Sequence, residues 1–405
     1  MDPDNYSYID NSPPETRGNG ILKGKTGSIQ PNMSVRGWPT EAGSKALEGF
    51  SALEDATVIE RLRKAGVEIT GSTCMSELGF GLTGDTAARV ISDGDVDFAL
   101  MTDTMGEARV AASSAGAFGF KPSYGLVSRY GLIGLVPSME CCGIMAKKTE
   151  DIRRVMEAIA GCDNHDLSMP EYEVPDFTHS GEPKDSRIVL GTIDQCMDPL
   201  DPGEIGAFNE TLSKIQKSGI TIRTCSLADF DLFRTVHNII GSVEASSSAG
   251  KYDGVRYGHR AKSTENWNEM YLKSRGESFG LPIKAYLFQG TYFQFENYSA
   301  FEDACRIRAR LVKHMEALFN EVDFLILPTR RHGLNVVNRT TIDEVYDVFS
   351  LALPANVTGL PAIHIPGSVL QDETDLGMQL IGPRLSDAHL LSLAGTLSHL
   401  CQGGI

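Results

Sequence analysis

The chain has no run approaching 18 consecutive apolar residues, so no segment reads as a membrane-spanning helix. Cysteine is scarce, with eight in 405 residues. No pair has CxxC spacing, and the adjacent Cys141 and Cys142 are poorly placed to bridge each other. A disulfide scaffold, a zinc ribbon and a thioredoxin-like site are therefore unsupported. The nine histidines include no HExxH or other metal spacing, and neither a metal nor another cofactor is implied. Basic residues are in deficit, 37 Lys and Arg against 53 Asp and Glu, for a net charge of −16. Such a chain repels phosphate backbones and anionic lipid, which argues against direct nucleic-acid or membrane binding. The first twenty residues hold no apolar stretch, so no signal peptide is read there and a cytoplasmic protein is the expectation. No internal repeat or heptad pattern is present.

What is there is ordinary globular composition, 41% hydrophobic and 22% charged, long enough for a large core. Residues 1–20, rich in Asp, Asn, Ser, Pro and Gly, read as a disordered tail. Asp55 is placed to cap a helix carrying Val58, Ile59 and Leu62, closed by Gly66 and followed by a strand over 67–70. Ile152, Val155, Met156 and Ile159 mark a second helix. Residues 163–186 read as a surface connection. A strand at 188–190, a helix over 204–217 and a strand at 220–222 follow. Residues 225–300 read as helices and loops bordering a pocket, with Tyr292, Phe293, Phe295 and Tyr298 as helix core and one of them facing the pocket. A helix over 304–318, strands at 322–327, 362–365 and 378–381, and a helix over 387–400 complete the chain. Helices alternating with apolar strands predict an α/β fold in a single domain over 21–405.

Several phrases carry a resemblance. Lys121-Pro122-Ser123-Tyr124-Gly125 runs into Val127-Ser128-Arg129-Tyr130-Gly131-Leu132. Asp55-Ala56-Thr57-Val58 is followed by Arg61-Leu62 and Ala65-Gly66. Near the C-terminus stand Pro354-Ala355-Asn356, Gly359-Leu360-Pro361-Ala362 and Gln379-Leu380-Ile381-Gly382. Together they resemble the amidase signature family, nearest to the A subunits of glutamyl-tRNA amidotransferases. The resemblance spans about 22–400 and implies a large mixed sheet flanked by helices. The family's N-terminal helical segment has no counterpart here, and one active-site loop is shortened. Family members cleave amides with a Ser–Ser–Lys triad. A base activates the weakly nucleophilic serine, and a glycine-rich turn presents backbone N–H groups to the developing oxyanion.

Laid on those motifs, three positions differ. Leu22-Lys23-Gly24-Lys25-Thr26 through Gly37 matches the lysine segment without a gap, which puts Gln30 at the base; an amide has no usable basicity. Thr102-Asp103-Thr104-Met105-Gly106-Glu107-Ala108-Arg109 matches the nucleophile turn. Glu107 then stands at the serine, Met105 replaces a glycine of the turn, and Asp103, Thr104, Gly106 and Arg109 are retained. The relay serine falls on Thr83 by counting 24 residues back from Glu107; otherwise its loop is deleted.

Each candidate has a plainer reading. Glu107 is either a general acid/base or a cap for the helix behind it. Asp103 and Thr104 form the turn, and Arg109 is a ligand contact or a structural ion pair. Cys142, with Cys141, lies on a loop that borders the family's substrate pocket, as a nucleophile or as buried apolar filling. His364 reads as a core histidine, Arg330-Arg331-His332 as an anion grip or a solvated turn, and Lys147-Lys148 as an exposed charge run. Two functions follow. One is a non-hydrolytic pseudoamidase that serves for binding or scaffolding, with a protein partner or as a homo-oligomer, and exposes a large apolar patch. The other is a repurposed enzyme using Glu107 for cyclisation or condensation of a small amide or acyl ligand in the residual cleft. A third, an active amidase drawing on Lys23 or Lys25, requires a strand slip of five or seven residues.

Overall fold

Among the described residues, short runs of buried Ile, Leu, Val and Met pair edge to edge into one mixed sheet of eleven strands. This computed structural model describes residues 2–11, 19–178, 188–331, 341–367 and 377–401. The strands are β1 (Tyr6–Ile9), β2 (Thr26–Ile29), β3 (Glu68–Thr73), β4 (Phe98–Asp103), β5 (Phe118–Lys121), β6 (Cys141–Ala146), β7 (Val189–Ile193), β8 (Thr221–Cys225), β9 (Phe324–Pro328), β10 (Ala362–Ile365) and β11 (Met378–Ile381). Their spatial order is β1-β3-β2-β4-β6-β5-β10-β11-β9-β7-β8. The flanks β3-β2-β4 and β9-β7-β8 are parallel, and the centre from β4 to β9 is antiparallel.

The helices are α1 (Thr57–Lys64), α2 (Ala87–Ser92), α3 (Glu107–Ala115), α4 (Thr149–Ile159), α5 (Pro202–Lys217), α6 (Leu232–Ser248), α7 (Trp267–Ser278), α8 (Leu281–Phe295), α9 (Tyr298–Leu318), α10 (Ile342–Phe349), α11 (Leu353–Thr358) and α12 (Asp387–Cys401). Strand periodicity divides the interior into two cores. Ala99, Met101, Leu325, Leu327 and Ala362 enter the core covered by α2, α3, α6 and α8 to α11. Phe98, Leu100, Ile326, Ile363 and Ile365 enter the other, covered by α1, α4, α5 and α12. The mixed α/β architecture implied by the sequence is the one observed.

Most long elements fall where periodicity puts them. Ile152, Val155, Met156 and Ile159 are all buried on α4. Helix α5 starts at a capping box, in which Asp201 and Glu204 satisfy each other's backbone N–H. Residues 163–178 carry no helix or strand, as expected of a connection.

Five expectations are corrected. The first twenty residues are not all tail: Tyr6–Ile9 pairs antiparallel with β3, with Tyr8 packed on Trp38 at 4.9 Å between ring centroids. Asp55 does not cap α1. It accepts from the Arg36 N–H at 2.8 Å and pairs with Arg63, leaving Ala56 at the cap. Cys141 and Cys142 open strand β6 rather than lying on a loop. Tyr292, Phe295 and Tyr298 are exposed rather than core. Helix α8 is apolar on both sides, so periodicity alone does not say which side faces inward. Arg330 is buried rather than solvated, and His332 lies outside the described residues.

Strand β1 covers the edge of β3, where open N–H and C=O groups would otherwise face water. Deleting residues 1–10 is expected to lower the thermal midpoint by several degrees and promote aggregation on heating. Scanning fluorimetry with light scattering measures both.

Candidate active site

Strand β4 is buried along its whole length and delivers the chain into a tight turn, Thr104-Met105-Gly106, ahead of α3. Gly106 sits at φ +124°, and a Cβ there would meet the Ala352 Cβ at 2.4 Å, so only glycine fits. Glu107 opens α3 and folds its side chain back. Its Oε2 accepts from the backbone N–H of Thr104 (2.7 Å), Met105 (2.7 Å) and Gly106 (3.1 Å). Three amides thus converge on one oxygen at a helix N-terminus, a geometry suited to negative charge. Glu107 is 1% exposed and Met105 is fully buried. Oε1 of Glu107 is buried and has no hydrogen-bond partner among the described residues. Burial, then the neighbouring Asp103 carboxylate, push the Glu107 carboxyl up to about 8, against the pull of the three amides.

The turn is anchored from beneath. Asp103 and Arg109 form an ion pair sealed from water, Nη2 to Oδ1 at 3.2 Å and Nε to Oδ2 at 3.4 Å. Arg109 Nη1 donates to the Ala352 carbonyl (2.9 Å) and to Gln379 Oε1 (2.8 Å), and Nη2 also donates to Asn356 Oδ1. Asn356 returns its amide N–H to Asp103 Oδ1 (2.8 Å) and to the Asp103 carbonyl (3.1 Å). Gln379 donates to the Leu351 carbonyl (2.7 Å) and the Pro328 carbonyl (3.1 Å). Arg109 and Asp103 are therefore committed to internal partners and are fully buried.

A second buried chain of polar groups holds the turn from the helical side. His237 Nε2 lies 3.0 Å from the Thr104 carbonyl. A carbonyl only accepts, so Nε2 carries the proton. Burial, then the positive Arg308, lower the His237 imidazole to about 4 and keep it neutral. Nδ1 then accepts from the Tyr346 hydroxyl at 2.8 Å, and the Tyr286 hydroxyl donates to Tyr346 at 2.9 Å. Helices α6, α10 and α8 thus converge on one carbonyl. No spacing in the sequence points to His237, Tyr346 or Tyr286.

Gln30 lies just beyond β2, beside the carboxyl end of β4. Its Oε1 accepts from the Thr102 N–H (2.8 Å), and its Nε2 donates to Asp85 Oδ2 (2.5 Å). Burial pushes the Asp85 carboxyl up to about 6, although the Ala87 N–H and Gln30 donate to it. Asp85, which no motif in the sequence marks, is the group brought to Gln30. Thr83 is exposed, and no hydrogen bond ties it to Gln30 or Glu107 among the described residues. Gly79, Gly81 and Gly84 around it have positive φ.

Cys142 pairs across from Thr102 but points into the core opposite α3, where burial, then Cys141, push its thiol up to about 12. It does not join Glu107, whose helix lies on the other face of the sheet. Lys25 is held at the amino end of β2 by Asp97 (2.9 Å) and Asp151 (2.8 Å), the far end from Gln30. Fully buried Lys121 donates to the Pro122 carbonyl at 2.8 Å and lies 3.8 Å from the Cys141 sulfur.

A cleft of about 550 Å³ opens beside this assembly, between the 129–140 segment, Asp166 and the end of α6. Glu140 lines it and accepts from the Leu135 and Val136 N–H groups (2.9 and 3.1 Å) and from Arg129 Nη1 (2.7 Å). Lys251, Ser247 and Ser248 face it from α6 and just beyond. Glu107 is not among its lining residues. Among the described residues no group of three His, Cys, Asp or Glu could hold a metal ion, and no helix is long and apolar enough to cross a membrane.

Comparison with known proteins agrees with this layout. The family described as Amidase matches residues 7–89 and 84–391. The glutamyl-tRNA(Gln) amidotransferase A subunit from Symbiobacterium thermophilum is 33% identical over 402 residues, covering 93% of this chain and 82% of the relative. Its counterpart from Haloarcula marismortui is 30% identical, covering 96% and 99%. Among solved structures, the Thermotoga maritima glutamyl-tRNA(Gln) amidotransferase A subunit superposes with a TM-score of 0.79 at 24% identity, covering 97% of this chain and 87% of that one. A 6-aminohexanoate cyclic dimer hydrolase gives 0.79 at 18%, covering 95% and 86%.

Two outcomes are expected. Arg109→Met strands Asp103 as a buried charge and should cost about 3–5 kcal/mol in urea unfolding. Arg109→Lys should recover little of that, since one ammonium cannot reach all five acceptor contacts that the guanidinium makes. The Glu107 carboxyl is raised from 4.5 to about 8 in the fold. As pH rises from 4.5 the unfolded chain ionises first, so this group costs stability progressively until the folded carboxyl ionises near 8. Glu107→Gln should remove that slope, so thermal midpoints at pH 5 and pH 8 should shift in its favour at the higher pH.

Proposed function

This chain belongs to the amidase signature family, and we propose that it is a non-hydrolytic member, a binding or scaffolding subunit rather than an amide-cleaving enzyme. One observation carries the reading: the oxyanion-type cradle of Thr104, Met105 and Gly106 is filled by a carboxyl oxygen of Glu107, the residue that the family's motif register puts at the nucleophile. A substrate oxygen cannot enter a cradle whose three donors already meet an oxygen at 2.7–3.1 Å. Gln30, at the register position of the base, is bonded to Asp85 and offers no amine. Met105 is fully buried where the family's turn carries a glycine. Loss of members of such a triad costs roughly 10⁴- to 10⁶-fold in rate.

The idea of an assembling chain rests on the relatives, which are named as subunits of an amidotransferase. We extend to this chain the use of a protein partner or a second copy. The cleft beside Arg129 and Glu140 is the candidate place for a small amide or acyl ligand, within the 300–1,000 Å³ of small-molecule pockets.

A second reading is favoured by the raised Glu107 carboxyl, which suits a general acid. Under it the fold performs a non-hydrolytic condensation or cyclisation. The sealed position of Glu107 counts against it, because an acid must reach the proton's destination.

Purified protein should release no ammonia from glutamine or simple amides at the turnover of ordinary enzymes, about 1 s⁻¹ or more. Turnover in that range would overturn both readings, since each denies amide hydrolysis. Glu107→Ser should restore no cleavage, since Gln30 still stands at the base position. A serine variant that hydrolyses amides would show that a base is present after all.

A further inference from the structure

The cleft beside Arg129 and Glu140 has two unlike walls. One is apolar and firm. Leu132 and Pro137 line it with Tyr130, whose ring stacks on His165 at 4.9 Å between centroids and whose hydroxyl donates to Glu54 at 2.6 Å. The other wall is polar. Ser247 and Ser248 close α6, and Lys251 ends the short 3-10 turn that follows.

The acids at the cleft are already supplied with donors. Glu140 accepts from the Leu135 and Val136 N–H groups and from Arg129. Asp166 accepts from the Arg129 N–H (2.8 Å) and from the N–H (3.0 Å) and hydroxyl (2.6 Å) of Ser168. Glu244, on α6 just before the serines, accepts from the Ser138 N–H at 2.9 Å, and Asp163 holds Thr57, Ser128 and His165. The polar wall is the reverse. Lys251 is exposed and lies 5.2 Å from the Tyr252 ring centroid, with no ion pair among the described residues. The hydroxyls of Ser247 and Ser248 make no hydrogen bond among those residues either.

Spent acceptors beside free donors select a ligand that brings acceptors. One unpaired ammonium flanked by two hydroxyls matches a single negative charge shared by two oxygens. The net charge of −16 disfavours an approaching anion at long range. At physiological salt that field is screened beyond about 8 Å, so the contact at Lys251 decides. We propose that this cleft binds a small organic carboxylate, its oxygens on Lys251, Ser247 and Ser248 and its apolar body on Tyr130, Leu132 and Pro137. The proposal rests on the reading of the cleft as a ligand site and narrows it to an acid. An amide of the same shape has no charge and brings two N–H donors to a wall already rich in donors.

Phenylacetate and its neutral twin phenylacetamide are the probes, titrated into the full chain by calorimetry. The acid should bind about tenfold more tightly than the amide, and less tightly as salt rises. Lys251→Gln, at an exposed site, should cost the acid about tenfold and leave the amide and the thermal melt unchanged. Lys251→Arg should keep most of the affinity, and Ser248→Ala should lose less than Lys251→Gln. Equal binding of acid and amide, or an acid indifferent to Lys251→Gln, overturns the proposal and leaves the cleft as an amide site. Inorganic phosphate binding more tightly than phenylacetate overturns the choice of a carboxylate. If neither probe binds, the proposal and the cleft as a ligand site both fall. The non-hydrolytic reading is untouched by any of these results, since ammonia release tests it separately.

Discussion

The ion pair between Asp103 and Arg109 is the constraint from which the site follows. Moving both charges out of water costs several kcal/mol per ion, and a single contact at 3.2 Å would not offset that alone. What offsets it is complete use of the guanidinium: every N–H finds an acceptor on β4, β11 or α11, or on Ala352 just ahead of α11. The pair therefore ties together segments more than 200 residues apart in sequence. Since Asp103 is the last residue of β4, its fixed position sets the direction of the next three amides. The cradle at 104–106 is rigid because its foundation cannot rotate without breaking a buried charge pair.

A rigid cradle of amides stabilises whatever oxygen occupies it, and whether it acts on a reaction or on the resting protein depends on whose oxygen that is. A substrate oxygen arrives with charge only as a bond is attacked, so the donors lower a barrier. A resident carboxyl oxygen takes the same hydrogen bonds permanently. At Glu107 these bonds work against burial and against Asp103, and the two opposing influences leave the carboxyl shifted up to about 8. The donors are outweighed because they serve only one of the two oxygens. Oε1 keeps its dehydration cost with no partner among the described residues. His237 adds to the fixity, since it restrains the carbonyl of Thr104 while Thr104's own N–H points at Glu107.

How much of this is legible in sequence depends on what kind of constraint each residue answers. Strands β10 and β11 are readable to the residue, because a four-residue run with three apolar members between turn formers has few other options. The turn at 103–109 is legible through its resemblance to the family's motif, and the structure supplies the steric reason for Gly106 and the electrostatic one for Arg109. Strand β1 is hidden by its composition; its Tyr6 and Tyr8 find partners only through β3 and Trp38, contacts distant in sequence. Thr83 is reached only by counting along the chain, and the segment around it bends through three positive-φ glycines, so its exposed position is not legible from spacing. Asp85, His237 and Tyr346 leave no local pattern, since each is defined by a partner on another element. Cys142 is read as loop because strand β6 has only its pairing with β4 and β5 to define it, and that pairing turns its side chain into the core opposite α3.

Helix α8 connects these levels. Its inner face holds Tyr286 against Tyr346 and so, through His237, bears on the Thr104 carbonyl. Its outer face is apolar, and Gly290 leaves no slack between it and α6. A helix so seated cannot rotate to hide Phe288 or Phe295 without pulling the Tyr286 hydroxyl from the buried chain, and an unpaired buried hydroxyl costs about 1–3 kcal/mol. The polar network that steadies the turn is thus also what keeps the apolar stripe facing outward. Filling of the cradle and exposure of α8 are two consequences of one rigid packing of α3, α6, α8 and α10 on the same face of the sheet.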